Sequence, residues 1–199
     1  MLTSMSEAAL PRMTLNEFWD WQDRQDIRYE LVDGIPWAMA GAQQRHDRIV
    51  TNAIAEIVGQ LRGSPCAVFT ADQTVVTSSA NGRRPDVGVD CGPLNGTSMQ
   101  ATSPRVVIEV LSRSTRTLDQ VGKLDEYKGV ESIEQIVLVD PDEPYVILWS
   151  RAAGRTWTQT PLRGLDAVLP LASVGVSLPL AILYERLDFR SRPQMVPLA

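Results

Sequence analysis

Glu109 is an acidic residue inside an otherwise apolar run, since residues 105–111 read Arg-Val-Val-Ile-Glu-Val-Leu. The β-branched and aliphatic residues around it predict a strand that is buried on both faces. A carboxylate in such a place is costly unless it is paired, hydrogen-bonded or bound to a metal ion. Asp86 follows a proline in a second predicted strand, within residues 83–90. Two carboxylates on adjacent strands would form an oxygen-rich cleft that suits a divalent cation.

The amino-acid composition limits which metal this cleft could hold. The chain has 199 residues, with two cysteines and a single histidine, His46. It therefore cannot build a zinc site from several histidines or from four thiolates. A metal centre must use Asp and Glu, which favours Mg²⁺ or Mn²⁺. We expect Cys66 and Cys91 to be reduced structural thiols in a cytoplasmic protein.

Charge and hydropathy narrow the range of partners. The net charge of −5 gives little support for broad nucleic-acid affinity. Residues 81–123, however, contain six Arg or Lys and four Asp or Glu, which is compatible with a substrate that carries phosphate. No apolar run is long enough to cross a membrane, and the N-terminus lacks the order of a signal peptide. We expect no membrane partner.

Local patterns predict the elements that must position the two acids. Thr14-Leu-Asn-Glu17 predicts a capping box and a helix, and Asp33-Gly34 predicts a hairpin turn. Further helices are expected at residues 44–61, from about 112 to 128, and briefly after Pro179. Further strands are expected at residues 66–70, 73–77, 134–140, 145–149 and 155–159. We expect one domain over residues 14–187, an irregular N-terminus at 1–13 and a tail at 188–199.

Several short motifs follow one another in order along the chain. They are Tyr29-Glu-Leu-Val-Asp-Gly34, His46 before a long helix, Arg84-Pro-Asp-Val87, Ile108-Glu-Val-Leu-Ser112, Lys123-Leu-Asp-Glu-Tyr127 and Val137-Leu-Val-Asp-Pro141. The two acidic motifs resemble the PD-(D/E)XK nuclease superfamily, and the ordered set resembles the Uma-two family of restriction-endonuclease-like proteins. The resemblance covers residues 14–187. It implies an α/β fold with a restriction-endonuclease-like core, in which helices flank a central mixed sheet.

One position departs from the superfamily pattern. The superfamily lysine stands two residues after the second acid, where this chain has Leu111. In the Uma-two family the lysine lies on the helix that follows the second acidic strand, and Lys123 matches that place. The resemblance implies that Asp86, Glu109 and the backbone carbonyl of Val110 hold Mg²⁺ or Mn²⁺. It implies that Lys123 orients the attacking water or steadies the phosphate.

Two further residues match family positions, and each also has a purely structural explanation. The resemblance implies that Glu30 lies near the cleft, whereas the hairpin pattern alone explains it as an acid on an edge strand. His46 begins a helix, where a charged imidazolium is disfavoured, so it could be a structural N-terminal donor. Lys123 could likewise form an ordinary exposed pair with Asp119 at i−4.

The resemblance implies a Mg²⁺-dependent endonuclease that hydrolyses phosphodiester bonds in DNA, and a homodimer would suit duplex cleavage. Two other functions stay open. Leu111 and the acidic net charge fit a nuclease-fold protein that binds nucleic acid or a protein without cutting. A metal-dependent hydrolase of small phosphoesters is the third candidate. We expect Trp37, Trp149 and Trp157 to lie in the core or on sheet surfaces, and an exposed one among them could instead stack on bases.

Overall fold

The computed structural model describes residues 12–39, 41–111, 119–153 and 156–189. The helices are α1 Leu15–Gln22, α2 Gln44–Leu61, α3 Asp119–Gly129 and α4 Leu180–Leu183. The strands are β1 Tyr29–Val32, β2 Ile35–Ala38, β3 Ala67–Thr70, β4 Val75–Ser78, β5 Asn81–Arg83, β6 Val87–Asp90, β7 Pro104–Val110, β8 Gln135–Asp140, β9 Tyr145–Arg151, β10 Trp157–Arg163, β11 Val168–Leu171 and β12 Val176–Pro179. The predicted cap of the third helix, residues 112–115, lies outside the described residues.

The strands form a large mixed sheet and two smaller antiparallel sheets. The large sheet has the order β10-β9-β8-β7-β6-β3, and its central pair, β7 and β8, is parallel. The chain between these two strands carries α3, as a parallel pair needs a crossover connection. The smaller sheets have the orders β2-β1-β5-β4 and β11-β12. A mixed sheet with flanking helices confirms the predicted fold class.

The large sheet is packed on both faces. On one face, Ile49, Ala53, Ile57 and Leu61 of α2 join alternate residues of β6, β7 and β8 in a core cluster, as the helical spacing predicted. On the other face, Tyr127 of α3 packs with Val107 and Ile136. Because side chains alternate along a strand, Glu109 projects to the same side as Val107, toward α3. The sheet therefore directs this acid away from the larger cluster.

The β1–β2 hairpin sets the position of Glu30. Asp33 and Gly34 both have positive φ, 50° and 77°, which a two-residue turn of this kind requires. The resulting register pairs Glu30 with Trp37. Strand β1 lies between β2 and β5, so the edge-strand explanation of Glu30 is wrong. Trp37, which we expected in the core or on a sheet surface, lies on β2 and is 61% exposed.

Cys66 and Cys91 form a disulfide, so the expectation of two free thiols is wrong. The physical reason is the pairing of β3 with β6, which places Ala67 opposite Asp90. Cys66 directly precedes Ala67 and Cys91 directly follows Asp90, so in this antiparallel pair the two cysteines face one another across the strands. The Gly/Ser/Thr-rich segment 91–103 begins at this bond. Asp90 ends β6, as predicted, and accepts hydrogen bonds from the backbone N–H groups of residues 92, 102 and 103.

In the part of the chain that the structure describes, no helix is both long and apolar enough to cross a bilayer.

Candidate active site

Asp86 lies where the chain crosses from the smaller sheet to the large one. Strand β5 ends at Arg83 and β6 begins at Val87, so only three residues connect the two sheets. The Oδ2 atom of Asp86 accepts a hydrogen bond of 2.8 Å from the backbone N–H of Val110. This bond fixes the carboxylate at the end of β7, one residue from Glu109. The first two predicted site residues are thus brought together.

Arg84 fixes the same crossover from inside the protein. Its side chain is buried, and its guanidinium donates to the backbone carbonyls of Tyr29, Ala71 and Asp72 at 2.6–3.0 Å. Its backbone N–H donates to Glu30 Oε1 at 3.0 Å. Three carbonyls from two separate segments therefore determine where residues 84–86 can lie. Arg84 thus holds the chain next to Asp86 through its guanidinium and reaches the polar cluster only through its backbone N–H.

Glu109 projects from β7 toward α3 and is 15% exposed. The Tyr127 hydroxyl donates to its Oε1 atom at 2.7 Å, and Lys123 Nζ lies 3.8 Å from the same atom. Burial raises the pKa of Glu109 to about 7; the charge of Lys123 opposes this rise, while Asp86 and Glu30 add to it. The lone acid in the apolar strand is therefore paired, yet its charge is only partly compensated.

Lys123 enters the cluster from α3. Its ammonium lies 2.9 Å from Glu30 Oε1 and 3.8 Å from Glu109 Oε1, so it bridges the two acids. Burial alone would lower the pKa of Lys123, but the two acids hold it above its ordinary value, so the side chain is cationic. It is 18% exposed, which contradicts the solvated helix pair considered from the sequence. Leu111, at the usual lysine position, instead donates its backbone N–H to Val139.

Glu30 is buried at the centre of the polar cluster. Its carboxylate contacts Lys123 at 2.9 Å and the Arg83 guanidinium at 3.3 Å, and it accepts the Arg84 N–H. The sequence placed Glu30 near the cleft by resemblance, and the structure brings it there. Its oxygens already have three donors. Glu30 is therefore better suited to hold Lys123 in place than to bind a metal ion directly.

His46 contacts the cluster from the first turn of α2. Its Nε2 atom lies 3.2 Å from Asp86 Oδ2. Burial alone would lower the pKa of His46, but the hydrogen bond and charge of Asp86, with Glu109 and Asp47, raise it overall. The expected disfavouring of imidazolium by the helix terminus is thus outweighed by nearby carboxylates.

The sequence did not identify Arg83, Glu126 and Tyr127 as parts of the site. Arg83 donates to both Glu126 oxygens, at 2.6 and 2.9 Å, and so links β5 to α3. Glu126 and Tyr127 follow Lys123 by three and four residues, which places all three on one helix face. That spacing was visible in the sequence and was the available signal for the two α3 residues. Arg83 carried no such signal.

The side chains of the cluster offer oxygen ligands of the kind that the predicted metal ion prefers. Within the described ranges, no three His, Cys, Asp or Glu side chains already surround one ion position. Asp86 and Glu109 offer two carboxylates beside the Val110 backbone. Mg²⁺ commonly binds through one or two carboxylates and keeps several waters. These two carboxylates supply oxygen ligands, and their negative charge is only partly balanced by neighbouring cations. They therefore fit Mg²⁺ or Mn²⁺.

The chain has a mixed α/β fold of the kind seen in a nuclease-like solved structure. A solved structure described as a putative nuclease belonging to DUF820, from Anabaena variabilis ATCC 29413, matches with a TM-score of 0.67 and 19% identity. The match covers 86% of this chain and 97% of that chain. At this level of identity the likeness establishes the fold.

The chain belongs to the Uma2 family, described as "Putative restriction endonuclease", which matches residues 15–181. The uncharacterized protein slr1290 of Synechocystis sp. (strain ATCC 27184 / PCC 6803 / Kazusa) is 28% identical over 191 residues, 95% of this chain and 100% of its own length. The uncharacterized protein sll1609 of the same organism is 23% identical over 168 residues, 82% and 95% of the two chains. The resemblance predicted from the ordered motifs is confirmed.

Proposed function

We propose that this protein is a Mg²⁺- or Mn²⁺-dependent endonuclease that hydrolyses phosphodiester bonds in DNA. The observation that carries the proposal is the convergence of Asp86, Glu109 and Lys123. These residues come from the crossover before β6, from β7 and from α3. Lys123 nevertheless contacts Glu109, and Asp86 accepts a hydrogen bond from Val110, the residue after Glu109. Packing alone gives no reason to gather buried charges from three separate elements.

In the proposed mechanism, Asp86, Glu109 and the Val110 carbonyl would hold the ion. When bound, such an ion lowers the pKa of a coordinated water and neutralises charge on the phosphate. Asp86 keeps its position through Val110 and His46, and Glu109 keeps its position through Tyr127. Fixed ligands of this kind avoid the cost of rearranging during the reaction.

Lys123 would bind a phosphate oxygen or orient the attacking water. Glu30 holds its ammonium next to Glu109, so the positive charge is directed into the cleft. Arg83 and Glu126 in turn hold Glu30 and α3 in register. A preorganised cation stabilises the charge that develops on the phosphate. Removing one such donor lowers the reaction rate about 10²–10³-fold.

Cleavage assays with site variants test this proposal. The assay uses single-stranded DNA, duplex DNA and a small phosphodiester, each with Mg²⁺ or Mn²⁺. We expect Asp86→Ala and Glu109→Gln to abolish cleavage and Lys123→Met, which keeps the apolar stem, to lower it about 10²–10³-fold. The matched controls are Glu134→Gln, in a half-exposed pair with Arg105, and Lys128→Met, on the same helix as Lys123.

The outcomes separate the three candidate functions. Unchanged cleavage in Glu109→Gln and Lys123→Met would reject the proposed roles. Metal-independent nucleic-acid or protein binding without cleavage would select the non-cutting module. Activity on the small phosphodiester alone would select a small-molecule phosphoesterase.

Three further predictions accompany the proposal. A single domain over residues 14–187 predicts one cooperative unfolding transition, and two-fold assembly predicts a dimer mass by light scattering. Cytoplasmic location stays a proposal, and the Cys66–Cys91 disulfide argues against it, because reducing compartments rarely keep such bonds. Thiol labelling of protein from its native source would show whether Cys66 and Cys91 are reduced, as a cytoplasmic location requires.

A further inference from the structure

Trp37 is an exposed aromatic residue beside the proposed site. Its strand register places it directly opposite Glu30. Residues directly opposite in an antiparallel pair project to the same face, with Cβ atoms about 5 Å apart. Glu30 binds Lys123, so Trp37 belongs to the same sheet face as the polar cluster, one strand away from Glu30. It is 61% exposed, which is unusual for so large an apolar surface.

The other four tryptophans have a ring or cation contact or a buried indole N–H. Trp21 packs edge-on against Tyr29, Lys128 lies over Trp149, and Arg151 lies over Trp157. The indole N–H of Trp19 is buried. Across the described ranges, Trp37 has no comparable ring or cation contact. Its ring is therefore available to a ligand.

We propose that Trp37 stacks on an unpaired nucleobase next to the phosphate held by Lys123. This inference rests on the proposed function and adds to it a preference for single-stranded or locally unpaired DNA. Bases within an intact duplex are already stacked on their neighbours, so an exposed ring can receive only a base that has left the stack. Such stacking tolerates any base, since every base has a flat aromatic face.

The charge of the protein supports this choice of occupant. With a net charge of −5, the chain gives weak general attraction to a phosphate backbone. Stacking can supply affinity that charge does not. A flat base joined to a phosphate matches an exposed aromatic residue and a cation that both adjoin Glu30, Trp37 by strand register and Lys123 by its ion pair.

The strand itself argues against a second copy of the chain as the occupant. Trp37 lies on β2, the edge of its sheet, where another strand could otherwise add. Pro36, its neighbour, has no backbone N–H and so interrupts such pairing. The exposed side chain is left as the recognition element of this edge.

The test measures DNA binding in the cleavage-deficient Glu109→Gln background by fluorescence anisotropy, without added metal. A labelled single strand is compared with the same strand carrying one abasic position, moved stepwise along the sequence. With Trp37 intact, we expect one abasic position to weaken binding about 5- to 150-fold. With Trp37→Ala, both strands should bind equally, at the weaker affinity. Trp37→Phe should restore most of the preference, and Leu94→Ala, an exposed apolar control at 91% exposure, should change nothing.

The outcomes distinguish this inference from the proposed function. An abasic effect of the same size in Trp37 and Trp37→Ala proteins would overturn the stacking proposal, as would equal affinity for single strand and duplex. If the stacking proposal fails but the protein with Glu109 intact still cleaves DNA, the proposed function survives. An absence of both binding and cleavage would overturn both proposals. Unfolding curves of Trp37→Ala and Trp37→Phe check that each variant is folded.

Discussion

Replacing Glu109 with glutamine is expected to remove activity and, without metal, to stabilise the folded protein at neutral pH. An ordinary glutamate has a pKa of 4.5, whereas burial, with the charges of Asp86 and Glu30, raises the pKa of Glu109 to about 7 despite the charge of Lys123. Above pH 7 the folded protein therefore holds an ionised group in surroundings that favour its neutral form. Glutamine has nearly the same shape and no charge, so it avoids this cost.

The magnitude and the pH window follow from these two values. Between pH 4.5 and 7 the folded state keeps the Glu109 proton and the unfolded state has lost it, so wild-type stability falls as pH rises. Each pKa unit corresponds to about 1.4 kcal/mol, which gives a destabilisation of about 3 kcal/mol once the carboxyl is fully ionised. The stability advantage of Glu109→Gln should thus be near zero at pH 4 and reach about 3 kcal/mol at pH 8.

Urea unfolding in EDTA, followed by tryptophan fluorescence from pH 4 to pH 8, measures this difference. Glu134→Gln, the matched control directly before β8 and paired with Arg105 of β7, should change stability by less than about 1 kcal/mol at every pH. Added Mg²⁺ should stabilise the wild type by ligand linkage and leave Glu109→Gln unchanged. A glutamine variant that is less stable than the wild type at pH 8 would refute the reasoning, since Glu109 would then be well compensated by its neighbours.

Three other perturbations should have distinct effects. Cys66→Ser opens a loop with a sequence separation of 25 residues and should cost about 3 kcal/mol in urea unfolding, whereas dithiothreitol should have no effect on this variant. Tyr127→Phe removes the 2.7 Å hydrogen bond to Glu109, so it should cost about 1–2 kcal/mol and raise the pKa of that acid, which moves the pH dependence of stability to higher pH. Asp90→Ala removes the acceptor of three loop N–H groups, so hydrogen exchange in residues 91–103 should accelerate while cleavage is retained; unchanged exchange would contradict this.

The elements with strong local patterns were predictable from the sequence. Helix α2 has one continuous apolar stripe and β7 has one dense apolar run, and both occur where their periodicity predicted. Asp33-Gly34 likewise predicted the hairpin that carries Glu30. Lys123 was identified through the ordered family motifs, since its own spacing fits a solvated helix pair equally well.

The features that were missed depend on contacts between distant parts of the chain. Glu30 is buried because β5 pairs with β1 across about fifty residues, which no local pattern reveals. The disulfide depends in the same way on the pairing of β3 with β6. Arg83 lies in a strand of three residues, too short for any periodicity, and its partner Glu126 is on α3. Sequence spacing therefore located the acids, while the residues that compensate their charge became visible only in three dimensions.

The short, anchored crossover at residues 84–86 has a consequence for how this chain can change in length. One residue inserted there would rotate everything after it by half a strand repeat, so Asp86 or the whole of β6 would turn to the opposite side of the sheet. The buried Arg84 guanidinium, committed to three carbonyls, leaves no slack to absorb the extra residue. The 91–103 segment is held by Asp90 at its ends and by Thr74 at residues 99–101, while residues 94–98 lie between these contacts. Length variation among relatives and engineered tags should therefore be accommodated in that segment and be absent between β5 and β6.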